Sequence, residues 1–352
     1  MEKKGKVFVG LSGGVDSSVS AAILKEAGYD VTGVFIKVWQ PDFIECTRET
    51  DRLDAIRVSA ELDIPFIELD LENEYKRDVL DYTVRSYERG HTPNPDVWCN
   101  RYIKFGAFWD FAKKNGANFI ATGHYARIIN GGEKESGYKL LKGIDENKDQ
   151  SYFLWTLRQE DLAHIIFPVG GMKKPEVRKL AKKFGLSISE KKDSQGLCFM
   201  GKLDMKEFLS HFMEKNPGEV FNEKGEVIGK HEGAMFFTLG ERHGFTITKK
   251  TSEDKPYYVV AKDIKNNRIT VSEEKLRSSG ARTKIMLKDT NWIGREPKDG
   301  GEYEVQFRYR QIPVEGVFSR GVLEVKEPQL VDSDQSAVIY DGDCVMGGGS
   351  IA

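Results

Sequence analysis

The 352 residues of the chain exceed the length of one ordinary domain, so two or three domains are expected. A hydrophobic content of 39% and a charged content of 31% are typical of a protein with real hydrophobic cores. The sequence contains no run of about eighteen apolar residues, the length needed to span a membrane. The net charge of −2 provides no global positive field, so a nucleic acid would have to be bound by local basic patches.

The first half of the chain alternates strand-like and helix-like segments. The apolar patterns predict strands at residues 6–9, 31–38, 66–69 and 118–122, and helices at residues 17–27, 51–62 and 103–114. This alternation predicts a parallel sheet with helices on both faces. Ligands of such sheets bind at the carboxyl ends of the strands.

The second half of the chain becomes β-rich after Pro217. Two further helices are predicted at residues 175–184 and 204–213. Short strands are predicted at residues 226–228, 257–261, 268–271, 285–287, 302–307, 322–325 and 337–340, a spacing that suggests one or two small antiparallel barrels. We therefore expect an α/β domain over residues 1–215, a small central β domain over 216–280, and a C-terminal β-barrel over 281–352.

The four cysteines point to a reduced, cytoplasmic chain. Cys46, Cys99, Cys198 and Cys344 form no CxxC pair and no Cys/His cluster at zinc spacing, so no structural metal site is expected. Their wide spacing is unlike the disulfide framework of a secreted protein, and the N-terminal apolar run is too short for a signal peptide.

A glycine- and serine-rich segment, GLSGGVDSS at residues 10–18, joins the first predicted strand to the first predicted helix. Glycines let the backbone approach an anion closely, and the helix N-terminus supplies unpaired N–H groups. Serine hydroxyls add donors, and Asp16 could hold Mg²⁺ beside the phosphates. The GxxxxGK[ST] lysine is missing, so this is not a Walker A motif. A turn that binds nothing is the alternative interpretation.

This segment resembles the PP-loop of the N-type ATP pyrophosphatases, which cleave ATP between the α- and β-phosphates and transfer AMP to a substrate oxygen. The resemblance implies an adenine nucleotide alpha hydrolase-like fold for the first domain. The residues it places on ATP are Gly10, Leu11, Ser12, Gly13, Gly14, Val15, Asp16 and Ser17. Synthetases of small molecules share the same loop, so it identifies the energy source and leaves the acceptor open.

Two cysteines and an aspartate lie in polar contexts that suit chemistry. Cys99 follows Asp96 by three residues, just before the helix predicted at 103–114, and a helix N-terminus favours a thiolate. Asp96 could act as a general acid or base. Cys198 follows the polar stretch KKDSQG and is placed for a thiol that moves between partners. Each cysteine could instead be an ordinary buried thiol. Cys46 is expected to be structural or incidental.

Six segments in order along the chain resemble the tRNA-specific 2-thiouridylase family. They are SGGVDSS at 12–18, NPDVWCN at 94–100, ATGHY at 121–125, NKDQSYFL at 147–154, KDSQGLCF at 192–199 and RYRQ at 308–311. The resemblance implies that ATP adenylates the C2 oxygen of the wobble uridine of a tRNA, with Ile36 and Gly123 also contacting adenosine. It places Asp96 as the acid or base.

The family resemblance also assigns the sulfur transfer. It implies that Cys198 receives a persulfide from a cysteine desulfurase or a sulfur-relay protein and that Cys99 is the partner thiol. Either Cys99 releases sulfide from the persulfide, or the persulfide attacks C2 directly. Both routes end in a disulfide between the two cysteines that a reductant must open.

The family resemblance implies a set of tRNA contacts as well. Asn94, Pro95 and Asp96 would surround a flipped base, since chemistry on a base usually takes it out of the stack. Contacts elsewhere would come from His124, Lys148, Asp149, Gln150, Arg308, Tyr309 and Gln335. The alternatives are a hydrogen-bonded loop histidine, a helix cap at residues 148–150, and a strand with one solvated face at 308–310. At the level of function, the alternative is a PP-loop synthetase or amidotransferase for a small molecule.

Overall fold

The computed structural model describes residues 4–43, 48–131, 137–193, 204–248, 255–274 and 280–352. Cys46 and Cys198 lie outside these described residues. The helices are α1 (Val15–Glu26), α2 (Arg48–Glu61), α3 (Glu72–Tyr75, Lys76–Leu80 and Asp81–Glu88), α4 (Pro95–Trp98, Cys99–Ala107 and Phe108–Lys114), α5 (Gln159–Leu162), α6 (Lys174–Lys183) and α7 (Met205–Leu209). The central segments of α3 and α4 are π-helical. In the described part of the chain, no helix has the length and apolar character needed to cross a membrane.

The N-terminal domain is built on a five-stranded parallel sheet in the order β3-β2-β1-β4-β7. Its strands are β1 (Lys6–Gly10), β2 (Asp30–Lys37), β3 (Phe66–Asp70), β4 (Phe119–Ala121) and β7 (Ile165–Ile166). Val7 and Val9 belong to one hydrophobic cluster, whereas Phe8 belongs to another. Successive side chains of a strand point to opposite faces, so both faces of this sheet are covered, as the sequence predicts.

Helices α3 and α4 differ most from the sequence predictions, and the short helix α5 was not predicted either. The helix predicted at 103–114 begins eight residues earlier, at Pro95, where the Asn94 side chain accepts hydrogen bonds from the backbone N–H groups of Asp96 and Val97 at 3.2 and 3.4 Å. Asn94 is therefore a helix N-cap followed by proline at the first helical position, a favourable combination. Helix α3 was not predicted, because its first half is dominated by charged residues.

The central domain is a five-stranded sheet in the order β10-β9-β8-β12-β11. Its strands are β8 (Gly218–Asn222), β9 (Val227–His231), β10 (Phe245–Ile247), β11 (Tyr258–Asp263) and β12 (Arg268–Ser272). The expectation of a purely antiparallel sheet is wrong here, since β8 and β12 pair in parallel. A parallel pair requires a long crossover connection, and the chain between β8 and β12 supplies it.

The C-terminal domain is a closed antiparallel barrel. Its strands are β13 (Arg282–Trp292), β14 (Gly301–Gln306), β15 (Val314–Ser319), β16 (Val322–Gln329), β17 (Ser336–Asp341) and β18 (Cys344–Ile351). The pairing between β13 and β18 closes the ring. A hairpin from the N-terminal half, β5 (Ala126–Asn130) and β6 (Tyr138–Lys142), joins this sheet through Leu141 opposite Cys344. The barrel was predicted; the added hairpin was not.

A buried ion pair connects all three domains. Lys262 and Asp332 are 2.5 Å apart, with side chains only 5% and 6% exposed. The ammonium also donates to the carbonyl oxygens of Gly90 and Phe237, and the carboxylate accepts from the hydroxyl of Thr92. Burial lowers the pKa of Lys262 despite the attraction of Asp332. The network fixes residues 90–92, which lead directly into the N-terminus of α4.

Candidate functional site

The candidate nucleotide site lies where the strand order of the parallel sheet reverses. Strand β1 pairs with β2 on one side and β4 on the other, so the loops that follow β1 and β4 leave the carboxyl edge side by side. Open α/β sheets bind ligands in the crevice at such a reversal. Ile36, near the end of β2, is a buried core residue at the same edge. The fold thus brings together the residues 10–17, Ile36 and Gly123 that were assigned to ATP.

The phosphate loop is shaped by backbone contacts and serine hydroxyls. The N–H of Ser12 donates to Oγ of Ser17 at 3.2 Å, and the Ser17 and Ser18 hydroxyls donate to the carbonyl of Gly14 at 3.1 and 2.8 Å. Gly13 has φ +70°, and a Cβ there would overlap the backbone of Asp51. The N-cap of α1 is Gly14, so no side chain covers the N–H groups of the first turn. This cradle suits an anion such as a phosphate.

Gly123 closes the other side of the crevice. A Cβ at Gly123 would lie 2.6 Å from the backbone nitrogen of Ser17 and 2.7 Å from the carbonyl carbon of Asp16. The loop after β4 therefore touches the first turn of α1, an approach that only glycine permits. Gly123 keeps the N–H of Ser17 clear of side-chain atoms.

An ion network stands beside the phosphate loop. Both carboxylate oxygens of Asp16 accept hydrogen bonds from Lys174, at 2.7 and 2.8 Å, and the hydroxyl of Tyr125 donates to the same carboxylate at 2.8 Å. Burial, followed by the charge of Asp16, raises the pKa of Tyr125. A magnesium ion at Asp16 would have to compete with the Lys174 ammonium, which is only 10% exposed.

Asp193 extends this network towards the chain segment that precedes Cys198. Its carboxylate contacts Lys174 at 2.9 Å, Arg178 at 2.6 Å and Lys148 at 2.5 Å. Burial alone would raise the pKa of Asp193, but the hydrogen bonds from Lys148 and Lys174 outweigh it and lower the pKa to about 2.

Lys191 makes a second link between this segment and the phosphate loop. It donates to the carbonyl oxygen of Gly13 at 3.0 Å and pairs with Asp51 and Asp54 of α2, each at 2.7 Å. Lys174, Asp193 and Lys191 were not predicted from the sequence as site residues. The polar run KKD at 191–193, which precedes the predicted catalytic Cys198, is a sequence signal for Lys191 and Asp193 but not for Lys174.

The predicted catalytic residues of the NPDVWCN segment lie at the start of α4. Asp96 is half-buried in the first turn, and Cys99 is the fifth helical residue, with a fully buried side chain. The expectation that Cys99 precedes the helix is corrected: it lies in the second turn, where the field of the helix end is already weaker. Attack by Cys99 on a substrate therefore requires its thiol to become accessible. The predicted role of Cys198 falls outside the described residues.

Several residues predicted to contact tRNA have partners within the chain. His124 is 7% exposed, its Nδ1 lies 2.7 Å from the hydroxyl of Thr122, and its ring packs against Phe105 and Phe167. Burial, then the charge of Lys104, lowers the pKa of His124 well below its ordinary value. In this conformation the ring presents no open face to RNA.

The KDQ segment also serves local structure. Asp149 accepts hydrogen bonds from the N–H groups of Gly143 and Ser151, at 2.8 and 3.1 Å, and so binds the first N–H of the 3₁₀ turn Ser151–Leu154, whose N-cap residue is Gln150. Gln150 accepts from the N–H of Tyr125 at 3.0 Å, while Lys148 is held by Asp193. The helix-cap alternative therefore describes Asp149 well, and the predicted RNA contacts of the three residues stay predictions.

The predicted contacts in the barrel are partly engaged as well. Arg308 donates to the carbonyl oxygens of Leu239 and Leu330, at 2.6 and 3.1 Å, and so ties the central domain to the barrel. Tyr309 packs against Phe153, with ring centroids 4.5 Å apart. Gln335 accepts from the N–H of Asp332 at 3.0 Å. These three residues lie at one junction, close to the network that positions α4.

Comparison with known proteins identifies the family. Three family models match in order: a "tRNA methyl transferase HUP domain" over residues 5–202, a "tRNA methyl transferase PRC-barrel domain" over 206–273, and an "Aminomethyltransferase beta-barrel domain" over 282–351. The "tRNA-specific 2-thiouridylase MnmA" of Listeria monocytogenes serotype 4b is 44% identical over 98% of this chain and 94% of its own length. The chain belongs to the tRNA-specific 2-thiouridylase family.

A second sequence relative belongs to the same family, and the similarities to solved structures are weaker. The 2-thiouridylase of Geobacillus thermodenitrificans is 42% identical over the same shares of the two chains. Among solved structures, the U34-tRNA thiolase NcsA of Methanococcus maripaludis has a TM-score of 0.37 at 19% identity, covering 60% of this chain and 64% of its own. A 4-thiouridine synthetase bound to RNA and ATP has a TM-score of 0.34 at 21% identity, with coverages of 56% and 46%. Membership of the 2-thiouridylase family thus rests on the sequence relatives.

Proposed function

We propose that this chain is a tRNA-uridine 2-sulfurtransferase, which uses ATP to replace the C2 oxygen of a tRNA wobble uridine with sulfur. The observation that carries the proposal is the 44% identity to a 2-thiouridylase across 98% of the chain. The phosphate loop alone would serve a small-molecule synthetase equally well. The family models name methyl transfer, but a methyl donor that is already activated needs neither a loop for ATP phosphates nor two reactive cysteines.

The first step belongs to the crevice between the loops after β1 and β4. The uridine O2 attacks the α-phosphorus of ATP, a bond to AMP forms, and pyrophosphate leaves. The unpaired N–H groups at the start of α1, from Gly14 onwards, would hold phosphate oxygens. Lys174 supplies a positive charge next to the loop, and Asp16 would offer a carboxylate oxygen to Mg²⁺ if its contact with Lys174 were exchanged for the ion. This step gives the carbonyl carbon a leaving group.

The second step belongs to Cys99 and Cys198. A persulfide on Cys198, delivered by a cysteine desulfurase or a relay protein, is more acidic than a thiol and supplies nucleophilic sulfur at neutral pH. If the Cys99 thiolate attacks the inner sulfur, a disulfide forms and sulfide leaves to attack C2. If the persulfide attacks C2 first, Cys99 then resolves the enzyme–base disulfide. In both cases AMP departs with the uridine oxygen, and two electrons from a reductant regenerate the thiols.

Asp96 and the start of α4 complete the proposed site. Asp96 lies one helical turn from Cys99, and Asn94 and Pro95 fix the direction of that turn. A carboxylate in this place can take or give the proton that moves as the uridine is adenylated and thiolated. The Lys262–Asp332 network holds the segment in front of it. We place the reaction in the cytoplasm, where thiols are kept reduced.

Nucleoside mass spectrometry tests the proposal directly. Bulk tRNA is incubated with the protein, Mg-ATP, a persulfide donor and reductant, in parallel with Cys99→Ser, Cys198→Ser and Asp96→Asn. We expect 2-thiouridine with the wild-type chain and none with Cys198→Ser. Release of AMP without any thiolated base would reject tRNA thiolation and favour the small-molecule synthetase.

A further inference from the structure

A surface on α3 and α4 combines aromatic rings with arginines. We call it the aromatic–arginine patch; its residues are Tyr82, Arg85, Arg89, Trp98, Arg101 and Tyr102. Trp98 and Tyr102 stack with centroids 5.7 Å apart and planes 15° apart, and Tyr82 lies edge-on to Trp98 at 4.9 Å. Tyr102 is 39% exposed and forms the outer ring of the stack. The stack therefore reaches solvent at the Tyr102 ring.

The arginines of the patch form no ion pair with a carboxylate in the described part of the chain. The guanidinium of Arg101 lies 5.7 Å from the Trp98 ring and 5.4 Å from the Tyr102 ring. Arg85 and Arg89 are exposed and follow Tyr82 on one stripe of α3, at i+3 and i+7. Among the described residues, none of these three arginines has a carboxylate within ion-pairing distance.

Other arginines of this domain differ in that respect. Arg57, Arg77 and Arg178 each contact an aspartate, at 2.9, 2.6 and 2.6 Å. In a chain of net charge −2, these three arginines, without such partners among the described residues, concentrate positive charge on this surface, where Asp81 and Glu88 of α3 are also exposed. A local patch of this kind is what the near-neutral chain would need to bind a nucleic acid.

The patch adjoins the proposed thiolation site. Trp98 immediately precedes Cys99, and Tyr102 follows Cys99 by three residues in the same π-helical segment of α4. On the barrel side, burial and then the carboxylate of Asp334 raise the pKa of the Tyr82 phenol to about 12. Asp334 precedes Gln335, one of the predicted tRNA contacts. A strand bound at the site would therefore pass over or beside the patch.

We propose that the aromatic–arginine patch binds an unpaired nucleotide next to the target uridine, its base stacked on Tyr102 and its phosphates beside Arg101, Arg85 and Arg89. The inference rests on the proposed function for the identity of the RNA. Single-stranded RNA is commonly held by bases stacked on aromatic rings or guanidinium planes, with cations along the backbone. Such a subsite holds the strand on one side of a flipped base and so keeps the flipped base in place.

The test uses a tRNA anticodon stem-loop that carries 2-aminopurine immediately 5′ or 3′ of the target uridine. Stacking quenches this fluorophore, so the wild-type protein is expected to quench one of the two positions. Tyr102→Ala should weaken binding roughly tenfold and abolish the quenching, whereas Tyr102→Phe should retain both. Because Tyr102 is at the surface, both variants are expected to fold, and ATP binding without RNA checks that they do.

Single arginine substitutions distinguish a local effect of the patch arginines on RNA binding from an effect of the chain's overall charge. Arg85→Gln and Arg89→Gln should each reduce the slope of log affinity against log salt by about 0.7. Arg295→Gln, which removes an exposed arginine from the barrel turn between β13 and β14, is the matched control and should change the slope less. If Tyr102→Ala binds the RNA with wild-type affinity and quenches it equally, the proposal that the patch binds a nucleotide is wrong.

The patch and the proposed function fail in different ways. If the wild-type chain thiolates tRNA but Tyr102→Ala changes neither binding nor quenching, the function stands and the patch is rejected. If the wild-type chain quenches the fluorophore through Tyr102 but yields no 2-thiouridine, the patch stands as an RNA subsite and the function is rejected.

Discussion

Replacing Gly123 by alanine would place a methyl group against the first turn of α1. The added carbon would lie 2.6 Å from the nitrogen of Ser17 and 2.7 Å from the carbonyl carbon of Asp16, whereas unstrained contacts between such atoms are about 3.5 Å. The loop after β4 and the helix would therefore have to separate by about 1 Å. Overpacking of this size costs about 1–3 kcal/mol of folding stability.

The same methyl group would cover the N–H of Ser17, which the proposed site presents to a phosphate. A hydrogen bond to a charged group contributes about 1.5–3 kcal/mol, so ATP affinity should fall roughly 10- to 150-fold. Titration calorimetry with ATP measures the affinity, and thermal unfolding without ligand measures the stability.

Gly171→Ala is the matched control for Gly123→Ala. A Cβ at Gly171 would have no other atom within 4 Å, and the backbone there has an ordinary φ, so alanine should leave both measurements within error. If Gly123→Ala binds ATP as tightly as wild type and unfolds at the same temperature, the loop after β4 does not border the phosphate site and the reasoning is wrong.

Three other substitutions test separate parts of the structure. Lys262→Met should lower the free energy of unfolding, measured in urea, by about 3–5 kcal/mol, because it leaves the buried Asp332 carboxylate without its partner. The double variant Lys262→Met/Asp332→Leu should be less destabilised. An equal loss of unfolding free energy in the single and double variants would contradict the argument. The pKa of Asp193 in the folded protein, about 2, is below its ordinary value. Its carboxylate therefore contributes to folding stability above about pH 4, and this contribution is lost as the pH falls towards 2. After solvent screening, Asp193→Asn should lower the free energy of unfolding by about 1 kcal/mol at pH 7 and by almost nothing at pH 2. Cys99→Ala should abolish 2-thiouridine formation in the mass-spectrometric assay while shifting the unfolding temperature by only a few degrees, and full activity would exclude a role for this thiol.

The sequence predicts those parts of the molecule that depend on local patterns. The apolar runs at 6–9 and 31–38 and the GLSGG turn are short-range signals, and the structure has β1, β2 and the phosphate loop where they indicate. The start of α4 was missed because NPDVWCNR has no apolar stripe; its helix depends on the Asn94 cap and on tertiary packing. The position of Cys99 in the second turn follows from that missed start.

Contacts between distant residues could not be read from the sequence. Lys174 meets Asp16 across 158 positions, and Lys262 meets Asp332 across 70. A lysine in a charged helix such as α6 looks the same in sequence whether it faces water or an aspartate. His124 was assigned to RNA by resemblance, whereas its burial depends on Phe105 and Phe167, which lie on other elements.

The hairpin of β5 and β6 bears on how the chain folds as it is synthesised. In the folded chain the edge of β6 pairs at Leu141 with Cys344 of β18. A ribosome that adds about 5–20 residues per second reaches Cys344 roughly 10–40 s after Leu141. During that interval the N-terminal domain displays an open strand edge, the kind of surface that recruits other chains into aggregates. Truncations before β18 would make this exposure permanent, so a shortened chain should precipitate even though its nucleotide domain is complete.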